Sequence, residues 1–168
     1  MTEEQYARLT EPLRRHPQAT RCLIILNKAL TLAGYVLYPL LLVLLAVFEP
    51  RLLARCIVVP AVGFVLLTLL RRAVNAPRPY EKLAIEPLIK KDTRGKSFPS
   101  RHTFCMFMIA VTWLVWQPVV GAVLLAASVL MATARVLGGV HFPRDVIAGA
   151  AFALVMGAIG YIAIPLPL

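Results

Sequence analysis

Eight residues have types and spacings suited to handling a phosphate: Arg71, Arg78, Ser100, Arg101, His102, Arg135, His141 and Asp145. They fall in three short stretches, "RRAVNAPRP" (71–79), "KSFPSRH" (96–102) and "ARVLGGVHFPRD" (134–145). Arginine offers a planar fork of donors that matches phosphate oxygens. His141 and Asp145 are four apart, with Pro143 starting a helix between them. At that spacing the carboxylate can fold back toward the ring, fix its tautomer and raise the nucleophilicity of the other nitrogen. A second histidine, His102, completes a pair suited to a step that needs a nucleophile and a proton donor. Pro99 is well placed at a helix start, where its missing N–H costs nothing. Ser100 and the amides after it then lie in a first turn, whose free N–H groups and dipole favour bound phosphate. Each stretch alone has a plainer reading, as a cationic flank of a membrane helix, a solvated histidine or an acid on a helix dipole. For Arg72 and Lys82 that plainer reading is retained. Outside the N-terminal segment and Glu49, the acids are Glu81, Glu86, Asp92 and Asp145, which form no cluster for a metal. The chemistry indicated is phosphoryl transfer without metal or cofactor, the arginines neutralising charge.

The elements that must bring these stretches together are membrane helices. Of the 168 residues, 60% are hydrophobic and only 15% charged, and Thr103 to Ala134 carries no charge at all. That composition predicts an all-α integral membrane protein of one domain over residues 1–168. The net charge of +10 does not come from a soluble basic domain, which argues against nucleic acid as a partner. Cys22, Cys56 and Cys105 lack metal-site or redox spacing and read as small apolar packing residues. The opening "MTEEQYARLTEPLRRHPQ" has no apolar run with a cleavage site, so insertion is expected to depend on the spans themselves. Residues 1–32 read as an interfacial, amphipathic lead-in with a bend at Gly34, and residues 33–168 as the transmembrane core. Within the core, spans are expected at about 33–48, 52–75, 99–116, 119–137 and 144–164, a bundle of five to six helices. Pro60 is expected to kink the second span, and "EPR" (49–51), "QP" (117–118) and "GGVHFP" (138–143) are turns. Counting crossings places the polar loop 76–98 and the "GGVHFPRD" turn on the same face, so the three stretches converge.

Together these stretches resemble the signature of the type 2 phosphatidic acid phosphatase (PAP2) superfamily of membrane lipid phosphatases. That signature has a lysine, six residues and Arg-Pro, then Pro-Ser-Gly-His, then Ser-Arg, five residues, His, three residues and Asp. Order and internal spacing match over residues 71–145, with three departures: Arg71 for the lysine, Arg101 for the glycine and Ala134 for the serine. The resemblance implies that His141 attacks phosphorus and becomes a phosphohistidine, oriented by Asp145. It implies that His102 protonates the leaving oxygen and then activates water. Arg71, Arg78 and Arg135, with Ser100, Arg101 and first-turn amides, would hold the phosphate.

The implied substrate is a bilayer lipid bearing a phosphate or diphosphate: a polyprenyl diphosphate such as undecaprenyl diphosphate, phosphatidylglycerophosphate or phosphatidic acid. The rival reading, an anion transporter or channel with an arginine ring, needs polar residues at midplane, which the spans after His102 lack. The expected location is a bacterial plasma (inner) membrane. Cations are richer on the site side, which the positive-inside rule assigns to the cytoplasm. Several of them are candidate phosphate ligands, and the resemblance to bacterial members favours the outer face.

Overall fold

The computed structural model describes residues 1–164, and every regular element in that range is a helix. The last four residues of the core expected over 33–168 lie outside the described residues. Helix α1 (Glu3–Arg15) begins at a capping box, in which Thr2 accepts from the Gln5 amide and Gln5 reaches back to the Thr2 amide. It is followed by α2 (Pro17–Phe48), α3 (Pro50–Val74), a single turn α4 (Pro79–Lys82), α5 (Arg101–Leu114), α6 (Pro118–Leu137) and α7 (Pro143–Ala158). A wider π turn, Ile159–Ala163, continues α7. Helices α2, α3, α4, α6 and α7 all open on a proline, where a missing N–H has no intrahelical partner to lose. Helix α3 runs through Pro60 and stops at Asn75, whose φ of 40° is a left-handed conformation that asparagine tolerates.

The bend expected at Gly34 is absent: α2 is one helix of 32 residues, and the boundary expected at residue 32 falls inside it. Gly34 is buried where α2 meets α5, and a Cβ there would stand 3.1 Å from the Met106 sulfur. The glycine permits close helix packing rather than a turn. A single helix, Pro17–Phe48, thus carries both the later part of the expected lead-in and the first segment long and apolar enough to cross a membrane.

Among the described residues, four segments are long and apolar enough to cross a membrane: Pro17–Phe48, Pro50–Lys82, Pro118–Leu137 and Pro143–Ala163. The remaining expected span, 99–116, forms the 14-residue α5, about 21 Å long against a hydrocarbon core of about 30 Å. Helix α5 is central, packing against α2, α3, α6 and α7. Around it the outer helices expose Val36, Val43, Val62, Val123, Ile147 and Val155, the surface lipid requires. One apolar cluster, with Leu41, Leu45, Cys56, Trp113 and Leu124, fills the end near the α2–α3 turn. A second, with Leu67, Phe104, Met108 and Ala153, leads toward the other end. There the ends of α3 and α6 meet the starts of α5 and α7.

Candidate active site

His141 lies in the turn between α6 and α7. The turn is shaped by Gly139, whose φ of 72° excludes most side chains, and by the Arg135 carbonyl, which accepts from the amides of Val140 and His141 at 3.3 Å. Pro143 then starts α7, and Asp145 in its first turn accepts the Phe142 amide through Oδ2 at 3.0 Å. His141 and Asp145 are both buried, and Nδ1 lies 3.6 Å from Oδ2, too far for a direct hydrogen bond. The Ser97 hydroxyl stands between them, 2.5 Å from Asp145 Oδ2 and 3.3 Å from His141 Nδ1. His141 Nε2 has no hydrogen-bond partner among the described residues. Burial, with Arg135 and Arg78 nearby, pushes the His141 pKa down to about 4 against the pull of Asp145, so the ring is neutral at physiological pH.

The arginines converge on the same end, each in a different way. Arg71, on the last turn of α3, is buried and donates to the Ser97 carbonyl at 3.3 Å and to the carbonyls of Pro99 and Lys96. One planar fork thus holds three carbonyls of the loop entering α5, which a lysine ammonium does less well. This gives the departure from lysine a physical meaning: most of Arg71's donors fix the loop, and its Nε is left without a partner among the described residues. Arg78 donates to the Val140 carbonyl at 3.1 Å and the Gly95 carbonyl at 3.2 Å, tying the loop to the His141 turn. Arg135, only 2% exposed, gives one donor to Asn27 Oδ1 at 3.1 Å, while its Nε and Nη2 are buried without partners among the described residues. A buried charged group with idle donors is costly unless a counter-ion arrives.

The helix start is shifted slightly from expectation. Ser100 is the N-cap residue, and α5 begins at Arg101. The Ser100 amide is used by the Asp145 carbonyl at 2.8 Å, and its hydroxyl accepts from Thr103 at 3.1 Å. The amides of Arg101, His102 and Thr103 precede the first helical hydrogen bond, Phe104 to Ser100. The starts of α5 and α7 approach this closely because residue 149 is glycine: a Cβ there would lie 2.6 Å from the Ser100 carbonyl oxygen. His102 is half-buried, within the field of Arg135, Lys91 and His141. Arg101 is set apart from the buried arginines; it is exposed, its guanidinium 5.6 Å from the centre of the Phe64 ring.

Four further residues belong to this arrangement. Ser97 bridges His141 and Asp145, and Asn27 on α2 holds Arg135. Glu81 accepts from the amides of Arg78 and Gly95 at 2.8 Å. Lys91 is half-buried in the loop, on a segment pinned by the Ile89 amide to the Gly138 carbonyl at 3.1 Å. Burial, with Arg135, Arg78, Arg71 and Arg101 around it, lowers the Lys91 pKa to about 8. A polar residue inside an apolar run was the available signal for Asn27; Ser97 offered none beyond its place in "KSFPSRH".

A membrane bundle that gathers buried arginines and histidines at one end of its helices is suited to holding an anionic phosphate at that end. The chain belongs to the PAP2 superfamily, a family of lipid phosphatases: the family model matches residues 52–166, from the start of α3 onward. Among solved structures it is similar to LpxE of Aquifex aeolicus, with 28% identity, a TM-score of 0.75, and coverage of 95% of this chain and 93% of that one. It shares its fold with a transmembrane PAP2-type phosphatidylglycerolphosphate phosphatase from Bacillus subtilis, at 20% identity, a TM-score of 0.64, and coverage of 94% and 83%. No curated protein matches the chain by sequence.

Proposed function

We propose that the chain hydrolyses the phosphate or diphosphate of a membrane lipid, without a metal, through a phosphohistidine on His141. The observation that carries this is the pairing of idle, buried donors on Arg135 with a neutral His141 whose Nε2 is unengaged. In the first step the Nε2 lone pair forms a bond to phosphorus while the bond from phosphorus to the lipid oxygen breaks, and that oxygen takes a proton from His102. In the second step His102 removes a proton from water, whose oxygen displaces Nε2 and releases phosphate. Arg135, Arg78 and the Nε of Arg71, with the first-turn amides of α5, hold the phosphoryl oxygens as charge develops. Ser100 serves by setting that turn, and Arg101 flanks it from outside. Polyprenyl diphosphates, phosphatidylglycerophosphate and phosphatidic acid are the substrates to compare. Phosphate release is expected to persist in EDTA and to be blocked by vanadate; a strict requirement for magnesium would overturn the mechanism.

Lys91 supplies a pH dependence. Protonated below about pH 8, it adds positive charge to the free site; above that it is neutral and attracts the substrate less. We expect kcat/KM to fall as pH rises through about 8, and this fall to vanish in Lys91→Gln, which has a uniformly higher KM. An unchanged alkaline limb in the variant would remove Lys91 from the site.

We place the site end at the outer face of a bacterial plasma membrane, as the family resemblance implies. Arg71, Arg78 and Arg135 are buried and leave the topological charge count. A cysteine at exposed Lys90, in an otherwise cysteine-free chain, is expected to react with an impermeant maleimide in intact cells. Labelling only after permeabilisation would instead follow the remaining exposed cations and the positive-inside rule.

A further inference from the structure

We propose that Ser97 is a positioning residue for the phosphoryl-accepting histidine, its hydroxyl coupling the Asp145 carboxylate to His141 Nδ1. The proposal rests on the reading of His141 as the nucleophile. It stands on three distances: Nδ1 to Oδ2 is 3.6 Å, while the Ser97 oxygen is 2.5 Å from Oδ2 and 3.3 Å from Nδ1. Asp145 therefore reaches the ring mainly through the serine.

The donor inventory fixes the direction of these bonds. A hydroxyl has one proton to give and lone pairs to accept with, whereas an ionised carboxylate only accepts. The Ser97 proton must go to Asp145, which leaves a serine lone pair facing Nδ1. That lone pair is satisfied only if Nδ1 carries the ring's hydrogen. The neutral ring is then held with its free electron pair on Nε2, the nitrogen without a partner. The opposite tautomer would set two lone pairs against each other.

Ser97 is itself held firmly. It is fully buried, its amide donates to the Ala76 carbonyl at 2.9 Å, and its carbonyl accepts from Arg71 at 3.3 Å. The residue at position 71 thus acts on the nucleophile at one remove, by fixing the backbone that carries the bridging hydroxyl. When Nε2 bonds to phosphorus the ring becomes cationic and Nδ1 keeps its hydrogen. The serine oxygen and the carboxylate behind it stabilise that charge, and no proton leaves the ring, so Ser97 is unchanged over a cycle.

The test uses the full chain in lipid–detergent micelles, with Ser97→Ala, Ser97→Thr and His141→Ala. Ser97→Ala is expected to lower kcat roughly 10- to 100-fold, the scale on which hydrogen-bond partners that orient a functional histidine act at metal sites. KM should stay within about twofold and Ser97→Thr should recover most of kcat, since a hydroxyl oriented by the same backbone replaces the serine's. The chain has three histidines, so 15N spectra of histidine-labelled protein resolve the His141 ring. Wild type at neutral pH is expected to show Nδ1–H, and Ser97→Ala a mixture of tautomers. A wild-type ring protonated on Nε2 overturns the proposal whether or not any variant folds. So does an unchanged kcat in Ser97→Ala alongside an inactive His141→Ala. An active His141→Ala would instead remove the nucleophile reading.

Discussion

Phosphate release by His141→Ala is expected to fall by about 10⁴-fold or more, the scale on which loss of a nucleophile acts when the surrounding charge stabilisation is intact. His102 is the remaining histidine of the pair, but the Ser97 and Asp145 bridge serves only His141. The buried ring, with a pKa of about 4 against an unfolded value of 6.5, also gives the loss a signature in stability. Between those values the unfolded chain binds the proton that the folded ring refuses, so folding stability declines as pH falls from about 6.5 to 4. His141→Ala removes this contribution. Its melting temperature should therefore lose less than that of wild type on going from pH 7 to pH 5, which separates an inactive folded variant from an unfolded one. Activity within tenfold of wild type would sink the phosphohistidine.

Arg135→Met is expected to cost about 10²- to 10³-fold in kcat/KM while the protein keeps, or gains, thermal stability. The activity change is the scale for removing one preorganised donor group from a developing negative charge. The stability sign is the less intuitive half. Arg135 sits 2% exposed with two nitrogens unpartnered, so the free protein bears a desolvated charge that a similarly shaped apolar side chain avoids. Against this stands the loss of one hydrogen bond to Asn27. Orthovanadate should raise the melting temperature of wild type, because it binds only the folded state, and should do little for the variant. A variant that is both active and less stable would mean that Arg135 is a structural tie to α2 and not a phosphate ligand.

Much of this arrangement is legible in the sequence because the chemistry and the punctuation are local. The turns at 49–51, 117–118 and 138–143 are marked by proline, glycine and charge, and helices α3, α6 and α7 begin at them. The three stretches carrying the arginines and histidines meet because alternating spans leave them no other course. What escaped is of two kinds. Gly34 reads as a break in a string of letters, but its role is set by Met106, some seventy residues away in the chain, and a contact of that sort has no local mark. Ser97 and Asn27 are likewise defined by partners on other helices, and Asn27 lies outside the stretch that carries the signature. Arg101 is a different case: its place beside His102 suggests a phosphate ligand, and in the fold it is exposed, its guanidinium 5.6 Å from the centre of the Phe64 ring.

Helix α2 also serves as a ruler. Asn27, bonded to Arg135, and Phe48, at the helix end, are 21 residues apart along one unbroken helix, about 32 Å at the usual rise. That is close to the thickness of the hydrocarbon layer, about 30 Å. With the α2–α3 turn at one boundary, the arginines would stand at the depth of the phosphates in the opposite leaflet. A lipid then need not be lifted out of its layer to be reached, and a lipid in the other leaflet is a full membrane away. The protein would draw on a single leaflet, and the pool it depletes would be refilled only as fast as lipids cross from one side to the other.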